Sequence, residues 1–148
     1  MTHDEKLLCS IHRAAEMGRD SLARVLQSVQ NDHFRNLLAE WQETYSRYYI
    51  SADVLLKASG GDDRGLGGMS RVMGDVMTDL SLAMDDSDAH IAEMLHKGTQ
   101  MGIDELDEQL RTAKGAAQEE TLNLASNMLD FLYSCRSELN SRMSERGT

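Results

Sequence analysis

Proline is absent from the 148 residues and there are only two cysteines. Without proline, no helix is broken by a missing N–H or by a ring clashing with the turn before it, so long helices are permitted. Cys9 and Cys135 lie too far apart in sequence to form a C-x-x-C ligand or redox pair, and two buried thiols are the expected reading of them. No stretch is apolar enough to span a bilayer, which argues against a membrane protein. The start, Met1-Thr2-His3-Asp4-Glu5-Lys6, is charged where a secretory signal needs an apolar run. A cytoplasmic setting is expected.

Basic clusters are missing too. The net charge is −10 and no Lys/Arg stripe exists, which argues against nucleic acid, because readers of phosphate backbones gain affinity by releasing counterions with such clusters. An acidic exterior keeps a protein soluble and is open to a basic partner.

What is present is helical periodicity. Glycine concentrates at Gly60, Gly61, Gly65, Gly67 and Gly68, so the strongest remaining breaker divides the chain in two. In the first half, Leu8, Ile11, Ala15, Gly18, Leu22, Val25, Leu26 and Val29 recur at i, i+3, i+4 and i+7, with Asn31-Asp32 as stop and next N-cap. Phe34, Leu37, Leu38, Trp41, Tyr45, Tyr48, Ala52, Leu55 and Leu56 repeat the pattern. These spacings predict helices over 4–30 and 32–57, antiparallel because the turn between them is so short. Trp41, central in its stripe, is expected to be largely buried.

Beyond the glycines, Met69, Val72, Met73, Val76, Met77, Leu80 and Met84 predict a shorter helix over 69–84, closed by the N-cap-rich cluster at 85–88. A helix over 89–113 turns Ile91, Met94, Leu95, Gly98, Met101, Gly102 and Leu106 inward. Gly115 then breaks the chain before a helix over 118–143. That last helix carries two apolar stripes. Leu122, Ala125, Leu129, Leu132, Leu139 and Met143 form one, and Leu124, Met128, Phe131 and Cys135 form the other. One face suffices in a four-helix bundle, so the second needs a cover: the 69–84 helix, or a second subunit. A homodimer through this face is the favoured expectation.

The whole is one domain, 1–148, all-α: two antiparallel hairpins joined by a long crossover that holds its own helix. This layout resembles the ferritin-like superfamily. More closely, residues 7–143 resemble an uncharacterised bacterial ferritin-like family, a four-helix bundle of unknown function. The resemblance is carried by Leu55-Leu56-Lys57-Ala58-Ser59-Gly60-Gly61, by Gly67 and Arg71, and by His90-Ile91-Ala92-Glu93-Met94-Leu95-His96-Lys97-Gly98. The acidic pair usual after that last glycine is here Thr99-Gln100.

The di-iron chemistry of that superfamily needs a Glu on each of two helices and a Glu-x-x-His on each of the other two, all facing inward. Only Glu93-x-x-His96 occurs, and at about 100° per residue it points away from Ile91 and Leu95. Glu43 falls opposite Trp41, and Glu40 at the flank. Cys9, His12 and Glu16 have the i, i+3, i+7 spacing of a ligand row, but rotated about 120° from the apolar stripe, where a surface position is expected. Glu105 is the acidic exception on an inward stripe. It is expected to form a polar core with the hydroxyl of Tyr48, with Tyr45 or Gln109 as substitute donors.

Residues 60–68 lack the Gly-Lys-Ser/Thr ending of a phosphate loop, and they follow a helix rather than a strand. Cys135 and His96 fall on different sides of their helices, so no nucleophile–base pair is indicated. The expectation is a non-catalytic bundle without cofactor, acting as an oligomer or protein-partner module. The alternative is a reduced-site metal-binding or iron-handling oxidoreductase around Glu16 and Glu105.

Overall fold

The structure is a computed structural model that describes residues 1–60 and 87–144. Among the described residues there are four α-helices and no strand. Helix α1 spans His3–Val25, α2 Asp32–Ser59, α3 Asp88–Ala113 and α4 Glu119–Ser144. The helix expected over 69–84, together with Gly67, Arg71 and the rest of 61–86, lies outside the described residues.

Local chemistry accounts for the helix ends. Thr2 Oγ1 accepts the Glu5 N–H at 3.0 Å, and Asn31 Oδ1 accepts the Phe34 N–H at 2.8 Å. Ser87 Oγ caps α3 through the His90 N–H at 3.3 Å. Each side-chain oxygen satisfies a donor that the first turn leaves unpaired. Gly60 closes α2 and Gly115 breaks the α3–α4 connection, both at φ +82°, in the left-handed region where a Cβ is unfavourable. The first helix stops at Val25, short of the expected residue 30, because 26–28 form a turn that brings Val29 into the core. Arg35 then caps that turn by donating to the Val29 carbonyl.

Five end-to-end contacts fix the directions. The Asp88 carboxylate accepts the N–H groups of Gln30 and Asn31, each at 2.8 Å, and the Asp4 carboxylate accepts that of Gln118 at 3.0 Å. Arg142 meets His33 Nδ1 at 2.7 Å and lies over the Phe34 ring, 5.0 Å from its centroid. Thus α3 begins at the α1–α2 turn, α1 begins at the α3–α4 turn, and α4 ends where α2 begins. Every neighbouring pair is antiparallel, and α2 ends at the opposite end of the bundle from the start of α3.

The core fills from all four helices, with Leu7, Ile11, Phe34, Leu38, Ile91, Leu106, Met128, Leu132 and Leu139 essentially inaccessible. Burial of these side chains is the main favourable term for the fold. Two expectations about facing change here. On α3 the buried line is Ile91, Leu95, Thr99, Ile103, Leu106 and Leu110, while Gly98 and Met101 are exposed. Glycines bury no side chain, so the helix turns its bulkier residues to the core and leaves Met94, Gly98 and Met101 at its edge. Trp41, expected to be largely buried, is half-buried for a related reason: it packs on the core at the rim of an open cleft.

Candidate functional site

All four helices meet in a polar layer at mid-bundle. The Tyr45 ring from α2 lies against the backbone of Gly18 on α1, so closely that a Cβ at position 18 would collide with three of its ring carbons. The same ring stands edge-on to Phe131 of α4, with centroids 5.1 Å apart at 78°, a favourable quadrupole arrangement. Its phenol is hydrogen-bonded to Thr99 of α3. Thr99 gives its own proton to the Leu95 carbonyl at 2.7 Å. Burial pushes the Tyr45 phenol well above its ordinary 10, nearby Cys135 adds to the rise, and the Thr99 bond opposes it. Burial also raises the Cys135 thiol to about 12. Both groups therefore stay neutral near pH 7, which suits a packed layer and not a base or a nucleophile.

From this layer a cleft of about 640 Å³ opens between α1 and α3. Tyr45, Thr99 and Leu132 lie at its depth, while Met17, Trp41, Met94 and Met101 line its flanks. Gly98 and Gly102 add no side chain to it, and a Cβ at Gly98 would meet nothing within 4 Å. Its rim is acidic: Glu93, Asp104, Glu105 and Glu108 stand there against Lys97 and the Arg13 that pairs with Glu105. A volume of this size, apolar below and polar at the edge, has the general character of a ligand or partner site.

The structure relocates the expected polar core. Glu105 is not inside; its side chain is 46% exposed and forms an ion pair with Arg13 across the mouth of the cleft. The rotation of α3 described above carries it from the inward line to the rim. Tyr48 is half-buried and faces Phe131, with ring centroids 6.0 Å apart, rather than Glu105. Its pKa is raised, by burial first and by Asp130 second.

The second stripe of the last helix is also placed differently from the expected subunit interface. Met128 and Cys135 are buried within one chain, and Leu124 and Phe131 are half-buried against its core. Tyr45 and Tyr48 of α2 cover Phe131, and Leu124 packs by Leu8, Cys9 and Leu56. Beside its hairpin partner α3, α4 spends its second stripe on its antiparallel neighbour α2 and, at Leu124, on the diagonal helix α1.

The same geometry overturns the surface reading of the Cys9, His12 and Glu16 row. These residues are only 3%, 5% and 8% exposed, because α2 covers the side of α1 that the main stripe leaves free. The His12 ring lies 4.0 Å from that of Tyr49, and its Nε2 is 3.6 Å from Asp53 Oδ1. Asp53 is itself bound to Lys57 at 2.9 Å, and Arg19 lies over Tyr49 at 4.6 Å. Among the described residues no three His, Cys, Asp or Glu side chains converge as a metal ion requires. Glu93 and His96 are half-buried on α3, and Glu40 and Glu43 are exposed on α2. Among the described residues, the carboxylates and histidines do not converge as a di-iron set would.

Sequence periodicity missed the cleft, although a signal existed. Gly98 and Gly102 sit four apart inside a helix flanked by methionines, and interior glycines cost a helix about 1 kcal/mol each, which asks for a structural reason. No family model, curated protein or solved structure matches the chain.

Proposed function

We propose that this chain is a non-catalytic helical bundle of ferritin-like topology that works by binding a protein partner, with the α1–α3 cleft as its binding face. The observation that carries this reading is the cleft itself: apolar, about 640 Å³, and reaching the central Tyr45–Thr99 layer. Two antiparallel hairpins, with α2 ending at the opposite end of the bundle from the start of α3, support the ferritin-like part, since that layout requires a connection running the bundle's length. The neutral phenol and thiol at the centre support the non-catalytic part. Two buried free thiols suit a reducing, cytoplasmic setting. The homodimer expected from the last helix has lost its motive, since the stripe that needed a cover is packed within the chain.

A neutral solvatochromic dye such as Nile red tests the reading. Saturable uptake by the parent, abolished in a folded Gly98→Leu protein, is expected, because that leucine projects into the cleft without meeting other atoms at its Cβ. Equal uptake by both proteins removes the cleft as the binding face. Stoichiometric iron retained after anaerobic ferrous loading overturns the non-catalytic reading in favour of the metal-handling one.

A further inference from the structure

We infer that the occupant of the α1–α3 cleft is a basic amphipathic helix of a partner protein, an inference that rests on the binding role proposed above. Three features of the cleft point to this chemistry. The first is its length. Its α3 wall runs from His90 to Glu108 and its α1 wall from Ala14 to Leu22, so at 1.5 Å per residue the two walls face each other over roughly 12 Å, or about two helical turns. A trough of that extent accepts the apolar face of a helix through anchors at i, i+3, i+4 and i+7.

The second feature is the lining. Gly98 and Gly102 lie one turn apart and present no side chain, so a facing backbone can approach closely, as at small-xxx-small helix contacts. Met94 and Met101 flank them, and Met101 is 56% exposed. Methionine's unbranched thioether adapts to irregular apolar anchors and is common on surfaces that receive helices. Among the described residues, Met101 and Trp41 offer apolar surface at the rim of this cleft.

The third feature is charge, and it selects the sign of the partner. Glu93, Asp104, Glu105 and Glu108 border the trough against Lys97, on a chain whose net charge is −10. Arg13 spans the mouth to Glu105, so Glu105 serves an internal pair, while Asp104 and Glu108 are exposed along the outer edge. A helix with Lys or Arg beside its apolar stripe meets this edge favourably, and an acidic one meets repulsion over the same length. Such complementarity sets partner choice and encounter rate.

The probe is a synthetic Leu/Lys amphipathic peptide of about 18 residues, long enough to span the facing walls, with a Leu/Glu peptide of identical pattern as control. Trp41 is the single tryptophan and lines the cleft, so its emission reports occupancy directly. The Leu/Lys peptide is expected to shift Trp41 emission saturably, with about tenfold or greater weakening for the Leu/Glu peptide and for Gly98→Leu. Gly98→Leu changes no charge, so its loss of binding separates the trough from general attraction to an acidic protein. If that variant does not fold, the Asp104→Lys/Glu108→Lys protein, altered only at exposed positions, decides: its preference must move toward the Leu/Glu peptide. Equal Leu/Lys affinity for parent and folded Gly98→Leu, or an unchanged preference in the double variant, overturns the inference. So does Trp41 emission that depends on protein concentration alone, which would make a second copy the occupant. If Nile red is taken up by the parent and excluded by Gly98→Leu while the Leu/Lys peptide fails to bind, the cleft stands as a binding face and the basic helix does not.

Discussion

Gly18 of α1 and Tyr45 of α2 share one volume: the phenol ring occupies the place a β-carbon at Gly18 would need. On its other sides the ring meets Phe131 edge-on and, through its hydroxyl, Thr99.

Gly18→Ala is therefore expected to destabilise the protein by about 1–3 kcal/mol through overpacking. Gly98→Ala makes the contrast, because its Cβ meets open space and removing a helix glycine gains up to about 1 kcal/mol. Urea midpoints of the two variants should move in opposite directions. A Gly18→Ala midpoint at or above the parent's would contradict the close packing of Tyr45.

Asp88→Ala removes the acceptor of two turn N–H groups, those of Gln30 and Asn31. A loss of about 1–3 kcal/mol is expected for charge-assisted bonds of this kind, with the lower end favoured by their exposure. Amide exchange at Gln30 and Asn31 should accelerate while exchange at Leu38 changes only with global stability. Unchanged protection at 30 and 31 would remove the clamp.

Alkaline pH should weaken the fold. The Cys135 thiol titrates at its ordinary 9 when unfolded and about 12 when folded, and Tyr45 shifts upward from 10. Above pH 9 the unfolded chain holds fewer protons than the native one, so stability present below pH 9 declines as pH rises toward 12. Tyr45→Phe should flatten the fall above pH 10. A parent midpoint that is level from pH 8 to 11 would show these groups to be solvated.

Phe131→Glu places a carboxylate between Tyr45 and Tyr48, so it should destabilise each chain by several kcal/mol. Light scattering on the fraction that remains folded should give the parent's mass. A folded variant of half that mass would restore the last helix as a subunit interface.

Fold class was legible because α2 obeys a single period: Phe34, Leu38, Tyr45, Ala52 and Leu56 are its buried residues, and all five lie on the stripe read from spacing. Periodicity weakens where a helix has two covered sides. On α1, Leu7 to His12 are buried all round, so spacing alone places the polar row of Cys9, His12 and Glu16 at the surface although α2 covers it. On α3 the average of Leu95, Gly98, Met101 and Gly102 suggested a direction about one residue away from that of Leu95, Thr99 and Ile103. That small rotation decides whether Glu105 is core or rim. A sequence holds no record of which neighbour fills which side, and the cleft exists only through that arrangement.

The two carboxylate ties at the bundle ends are equivalent in kind. Asp4, in the first turn of the first hairpin, accepts from the backbone just before the second helix of the other hairpin; Asp88, in the first turn of the second hairpin, does the same in return. The hairpins thus relate by an approximate two-fold axis across the bundle. Each hairpin offers its counterpart a latch and receives one. Losing either latch therefore loosens one end of the bundle while the other end stays tied.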